Sequence, residues 1–326
     1  MEFRPIGFER IQTLPQKLFF ACLFLIVHHA TLVADPGVAR EKDSTQSAKA
    51  DPSSDPVPQY LLQYRFEPDE VIRTKVIHQA SVRTTIEGSS QTASTVSISV
   101  KRWQVVGIDE QGRITFEHSV DYVDMKNEVT GRETVVYDSR TDKEPPPGFE
   151  DVAKRVNIPL TRVVMDQSGK VLKREELAAG STSVSQLAVP LPEKKVSIGQ
   201  SWSFPDDLVV QLQDGSSRKI KCRQRFELLG VDGGIARIGV ATQILTPIKD
   251  FPEIQAQLIQ RESEGTIQFD MKTGRVVGQL IDLDRRVTGY PNAKSTMHYR
   301  TRFTETLLGD GELTAKRTLE NKPSKK

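Results

Sequence analysis

The chain has 326 residues, 45 Lys and Arg against 43 Asp and Glu, a formal net charge of +2, 21 Gly, 18 Pro and 2 Cys. This composition excludes a collagen-like chain, wholesale disorder and a disulfide scaffold. The near balance of charge gives no global pull toward nucleic acid or an acidic membrane face, so neither is expected as a partner.

The chain opens like an export signal. Arg4, Arg10 and Lys17 precede an apolar run from Leu18 to Val27. A run of that length is too short for a bilayer of ~30 Å at 1.5 Å per residue. A charged start, a short apolar stretch and a terminal Ala predict a secretory signal peptide over 1–34, cut after Ala34. An uncleaved anchor is the alternative. Cys22 does not mark a lipid attachment site, because the apolar run continues past it. The expected location is periplasmic or extracellular, with no membrane span in the mature chain. Cleavage leaves Cys222 as the one cysteine, so no internal disulfide forms. A buried, inert thiol is the expected role there.

Residues 35–57 read as a linker rich in Ser, Ala, Asp, Lys and Pro, and 309–326 as a basic tail. Neither has enough apolar surface to offset the entropy of ordering. Between them lies a β-rich body, 58–308, with two related halves suggested at about 58–190 and 191–308.

Period-two patterning dominates this body. Ile72, Val76, His78, Ala80, Val82 and Ile86 alternate with Arg73, Lys75, Arg83 and Glu87, which predicts a long half-buried strand. Val96, Ile98 and Val100 repeat the pattern, and Trp103 and Val105 continue it one residue out of phase. That slip predicts a β-bulge near Lys101-Arg102. Further strands run through Ile114–Tyr122, Ile220–Leu228, Ala236–Ile244, Val277–Val287 and Met297–Phe303. Turns with Asp first and Gly near the end recur at Asp109–Arg113, Asp166–Lys170, Asp214-Gly215, Asp232–Gly234 and Asp270–Arg275. The expected architecture is mainly β: a long antiparallel meander forming a curved sheet or half-open barrel.

Two short helices are expected to cap it. Phe149, Val152, Ala153 and Val156 follow a Pro-rich break at helical spacing. Phe251, Ile254 and Leu258 form a similar stripe behind Asp250, the expected N-cap. Their apolar faces predict a lid over the open side of the sheet. A weak duplication pairs Phe66–Val71 with Phe204–Val209.

Signatures of known enzyme classes are missing: no Gly-x-Ser-x-Gly, His-Glu-x-x-His, phosphate-binding Gly-rich loop or Cys-x-x-Cys occurs. No cofactor or metal is expected, and an enzyme is the less favoured class. His78 and His118 fall in the apolar phase of their strands. They line a cavity on one reading and are satisfied core histidines on the other. Lys219, Lys221, Arg223 and Arg225 form a basic stripe, read either as a grip for an anionic group or as a solvated outer face. Asp282 and Asp284 alternate on one face, read either as pairing with Arg285 or Arg286 or as ligands for a hard cation. Asp121 and Asp124 form a similar couple, and neither pair matches a calcium-loop pattern.

Four stretches carry a resemblance. They are Val135-Val136-Tyr137-Asp138-Ser139, Val163–Val171, Val196–Trp202, and Gly265–Asp270 with Gly274-Arg275. In this order they resemble a group of exported bacterial proteins of unknown function, and more distantly the layout is similar to periplasmic lipoprotein carriers. The resemblance implies a half-open antiparallel barrel whose helix-capped concave face holds acyl chains, with no catalytic residues to transfer. The leading expectation is a non-enzymatic exported protein with an apolar or lipid-like ligand. Phe149, Val152, Phe251, Ile254 and Leu258 would form the lid, and His78, His118 and Trp202 would line the cavity, Trp202 having a core-anchor role as its alternative. The rival is a cell-envelope structural or protein-interaction module with a solid core. A hydrolase using inward carboxylates stands third.

Overall fold

The structure, a computed structural model, describes residues 57–178, 188–212 and 215–309. The signal-peptide expectation, nearly all of the linker and basic-tail expectations, and Asp214 of one expected turn lie outside them.

The described residues form a mainly β protein. In chain order the elements are β1 (Val71–Ile86), β2 (Ser89–Ile108), β3 (Ile114–Val129), β4 (Val135–Asp138), α1 (Glu150–Ala153), β5 (Pro159–Met165) and β6 (Val171–Glu176). These are followed by β7 (Ser201–Pro205), β8 (Leu208–Gln211), β9 (Ser217–Ile220), β10 (Cys222–Asp232), β11 (Ile235–Ile244), α2 (Pro252–Leu258), β12 (Glu264–Asp270), β13 (Arg275–Thr288) and β14 (Thr296–Leu307). One antiparallel sheet runs β6-β5-β3-β2-β1-β14-β13-β12-β11-β10-β7, with β4 pairing the far half of β3. Its first and last long strands, β1 and β14, pair at the centre from Thr74↔Leu307 to Thr85↔Thr296. The sheet does not close. A separate two-stranded sheet holds β8 and β9.

The central strands form because β-branched residues crowd β1 and tight turns return the chain. Ile86 faces Ser89 across a two-residue loop, Glu87-Gly88, in which both residues have positive φ. That is the requirement of a type I′ hairpin, and Gly supplies half of it freely. The Asp…Gly turns share one chemistry. Asp109 Oδ1 accepts from the Gln111 and Arg113 N–H groups, Asp166 Oδ1 from Ser168 and Lys170, and Asp270 Oδ1 from Lys272 and Thr273. Each carboxylate closes its own loop.

The expected bulge is present, and it sits on the neighbouring strand. β2 pairs with β1 without a break, so it does not slip. The register shift between Val100 and Lys101 leaves Asp121 of β3 as the extra residue. Val96, Ile98 and Val100 therefore lie on the opposite face from Lys101, Trp103 and Val105: the change of apolar phase is a change of face. The strand read through Ile220–Leu228 is also two strands, broken at Lys221, with its first part in the small sheet.

The large sheet is strongly curved. β3 and β11 stand six places apart in it. On a flat sheet with strands ~4.8 Å apart that separation is roughly 29 Å. Yet Phe116 of β3 and Ile238 of β11 belong to one packed core, bridged by Leu62, Tyr64, Val189 and Leu191. The concave face is thus filled at one end by two irregular segments, 60–66 and 188–196. They bond to each other through Tyr60 and Val196, each N–H donating to the other's carbonyl at 2.8 and 2.9 Å.

Segment 60–66 reaches both halves of the sheet. Tyr64 N–H donates to Gln167 O at 2.8 Å, in the β5–β6 turn. Arg65 N–H donates to Gly274 O at 3.0 Å, in the β12–β13 turn. The Tyr64 hydroxyl donates to Val189 O and accepts from Val189 N–H, at 3.1 and 2.9 Å. Burial, more than any other cause, raises its pKa far above the ordinary phenol value.

Both helices pack on the concave face, with differences in detail from expectation. α1 is a single turn on Val123, Met125 and Tyr137, and Val156 leaves it to bridge Val120. α2 is capped by Phe251 rather than Asp250, with no side-chain cap.

Segment 60–66, a strap across the concave face, makes glycine obligatory where it touches the turns. A Cβ on Gly169 would lie 2.7 Å from the Tyr64 ring and from Val189 O, and one on Gly274 would lie 2.6 Å from Arg65 N. Gly131 has a similar positive φ and open space around it. Gly169→Ala and Gly274→Ala should therefore each cost about 1–3 kcal/mol more than Gly131→Ala in denaturant unfolding. Equal costs at the three positions would contradict the strap's close fit.

Candidate functional site

A pocket of about 90 Å³ lies between the concave face and the strap. Trp103, Val105, Phe116 and Met165 come from the first half of the sheet, Ile72 and Leu307 from the central pair, and Val276 from the second half. Tyr64, Phe66, Ala188 and Val189 form the roof. Thr74, Arg275, Gln279 and Glu305 are the polar groups in its wall.

Behind that wall the concave face carries a buried polar cluster. Register places Thr74, Lys101 and Glu305 on this face, since Thr74 faces both Lys101 and Leu307, and Glu305 faces Val76. Thr74 Oγ1 donates to Glu305 Oε1 at 2.6 Å, and Lys101 Nζ lies 3.7 Å from Glu305 Oε2. The lysine side chain is 8% exposed and the glutamate 18%. The ammonium also sits 5.3 Å from the Phe303 ring centre. An ion pair this deep stabilises only when both partners are present.

The two histidines flank Lys101. His78 Nε2 is 2.9 Å from Thr301 Oγ1, and its ring is tilted against Phe303. Burial and then the Lys101 charge lower its pKa. His118 lies against Trp103, ring centres 4.9 Å apart. It is 8% exposed, and neither ring nitrogen has a hydrogen-bond partner. Burial, then the charges of Lys101 and Arg174, push its pKa down to about 3. Its cross-strand neighbour Thr161 is fully buried with an unpartnered hydroxyl.

The remaining expected site residues lie elsewhere. Trp202 does not line the pocket; it stacks on Phe226, and its Nε1 donates to Pro190 O at 2.9 Å, as a core anchor. Phe149 and Val152 pack on the β3–β4 flank. Ile254 and Leu258 face Leu208, Val210, Ile220 and Cys222 around the small sheet. Phe251 is largely exposed under the Arg218 guanidinium. None of these five lines the pocket; Ala256 and Ile259 are what α2 lays on β13 and β14. Both helices lie on the concave face, α1 over Val123, Met125 and Tyr137 and α2 beside Leu283, Met297 and Tyr299, but away from the pocket, which the strap covers.

The basic stripe is divided. Lys219 belongs to the small sheet and pairs with Asp207 at 3.1 Å. Arg223 bonds Gln243 and Arg225 pairs with Glu227. Lys221 is exposed between the two sheets. Asp282 and Asp284 lie on the convex face, where they pair with Arg302, and with Arg300 and His298, across β14 rather than with Arg285 or Arg286. Asp121 pairs with Arg73 and Arg102. On the four central strands Glu305 is then the one concave carboxylate, and it is held by Lys101 and Thr74. Two-carboxylate chemistry lacks its second member there. Among the described residues no cluster of three His, Cys, Asp or Glu is arranged to hold a metal. Cys222 is buried, and desolvation followed by Asp206, Asp207 and Glu262 pushes its thiol pKa up to about 11.

Sequence patterning flagged the histidines and missed Thr74, Lys101, Glu305 and Thr161. Glu305 carried a legible signal, a charge in the apolar phase of Met297, Tyr299 and Phe303. Lys101 was hidden by the change of face.

No protein-family model matches the chain, and no curated protein matches it. Solved structures give weak likenesses. A lipovitellin structure described for its lipid–protein interactions aligns with a TM-score of 0.43 and 11% identity, covering 75% of this chain and 26% of that one. The chain thus spans about a quarter of lipovitellin's length. DynF from the dynemicin biosynthesis pathway of Micromonospora chersina gives 0.20 and 7%, covering 84% and 95%. An outer membrane lipoprotein-sorting protein domain from Vibrio parahaemolyticus gives 0.15 and 8%, covering 74% and 90%. At these scores the likenesses say nothing about what this chain does. No helix among the described residues is long and apolar enough to cross a membrane.

The histidines give a pH test. His118 has a folded pKa below its unfolded value of 6.5. The unfolded chain therefore binds the extra proton, and stability falls as pH drops below about 6.5, until the folded pKa is reached. The slope should be about 1.4 kcal/mol per pH unit for this residue. Urea midpoints between pH 7.5 and 5 should decline less steeply in His118→Leu, where His78 alone remains to act in the same sense. Identical slopes would contradict a buried neutral His118.

Proposed function

We propose that the protein is a non-enzymatic binding protein that takes an apolar group into the pocket beneath the strap. The carrying observation is the pocket itself, a partly open cleft of about 90 Å³ with a mostly apolar wall beside a buried polar cluster. Its volume also sets the ligand's size. Sites that enclose a drug-sized molecule run to ~300–1,000 Å³. A whole lipid does not fit; a short chain, or the last few carbons of a longer one, does. Export to the periplasm or beyond, carried by the N-terminal segment, is part of the same proposal.

The small volume also favours the rival, a solid-core interaction module of the cell envelope. Its working surface would be the convex face, where Ile77 and Ile98 pair and the exposed Leu280 lies in the same row beyond Thr304.

Native mass spectrometry of the exported protein, followed by binding of linear alcohols of rising length, separates the two. The mass should match a chain beginning at Asp35; one beginning at Met1 would contradict cleavage. Affinity should rise roughly fourfold per added methylene through the first few carbons, from about 0.8 kcal/mol each, and Val105→Phe should abolish the binding by filling the pocket. No uptake at any length would sink the ligand reading.

A further inference from the structure

We propose that His118 and Thr161, with Lys101 beside them, form the polar end of this site and bind the carboxylate of a short amphiphilic acid. The inference rests on the reading of the pocket as an apolar ligand site. A second set of atoms, outside the pocket wall, carries it.

His118 pairs across the sheet with Trp103 on one side and Thr161 on the other, so the three share the concave face. Trp103 is the partition. Its ring lines the pocket and packs against Phe116 on that side and His118 on the other. Beyond it, His118 Nδ1, His118 Nε2 and Thr161 Oγ1 have no hydrogen-bond partner, on side chains 8% and 0% exposed. Buried polar atoms are paired in the great majority of cases, and an orphan calls for a ligand, ion or water. Here three orphans sit on two adjoining side chains.

The surrounding charge selects the ligand. Lys101 and Arg174 both act on His118 electrostatically and both disfavour its protonation. Glu305 offsets the first and Glu176 acts on the second. The imidazole is therefore a neutral ring with one N–H to donate, next to a hydroxyl that donates as well, in a field set by two cations. A carboxylate accepts both donors with charge-assisted bonds. An alcohol gains less, and an ammonium meets Lys101 and Arg174. The acid's chain would lie past Trp103 in the apolar pocket.

The test compares hexanoate, 1-hexanol and hexylamine by calorimetry on the purified full chain, with the His118 ring nitrogens followed by NMR. Hexanoate should bind about tenfold more tightly than 1-hexanol, hexylamine should bind least, and hexanoate alone should shift the His118 ring signals. Thr161→Val and His118→Leu should each bring hexanoate down to the hexanol level while weakening hexanol far less. Thr161→Val is nearly isosteric, so it carries the test if the histidine variant folds poorly. Equal binding of acid and alcohol, or a preference that survives both substitutions, would overturn the head-group assignment while the pocket stands; the orphan atoms then hold water only. No binding of any of the three would overturn the pocket reading and this inference together.

Discussion

Two backbone hydrogen bonds, from Tyr64 to Gln167 and from Arg65 to Gly274, tie one short segment to hairpin turns at opposite sides of the same sheet. An antiparallel sheet of this breadth, left to itself, twists open and offers one apolar face to water. Here the face is rolled inward, and the tie sets how far. Tyr64 stands at the centre, stacked near Phe66, edge-on to Phe269 and locked to Val189 through its hydroxyl. The core that spans both halves, the pocket beneath it and the spacing of its walls all follow from that tie.

The same constraint explains what patterning reveals and conceals. Alternation along β1 and the Asp…Gly turns depend on local sterics and local hydrogen bonds, so they are legible residue by residue. The strap is not. Tyr60 to Phe66 has no regular period, and its meaning lies in partners more than a hundred residues away. Two short amphipathic helices look like the natural cover for a concave sheet, and they lie on it, but away from the pocket: α2 sets Ala256 and Ile259 on β13 and β14 and gives Ile254 and Leu258 to the small β8–β9 sheet. The change of phase at Lys101 has the same origin: a bulge in one strand and a change of face in the next leave the same mark on sequence.

The site was half legible for a related reason. His78 and His118 stand out as polar residues in an apolar phase. What distinguishes them is pairing, which sequence does not display: His78 has Thr301, and His118 has none. Leaving a buried polar group without a partner costs about 1–3 kcal/mol. A fold held by a core cluster that spans both halves, three smaller clusters and ion pairs across its convex face can carry that cost. A purely structural position would be expected to hold Leu. The buried Lys101–Glu305 pair stands between the two histidines, and its removal would leave a charge stranded beside the pocket.

Xenon reports directly on the space beneath the strap. Small apolar cavities take up xenon, so a crystal of this protein under xenon pressure should show one bound atom among Trp103, Phe116, Leu307 and Tyr64. A crystal in which those side chains meet with no room between them, and which takes up no xenon there, would contradict the claim that this protein holds an apolar group on its concave face.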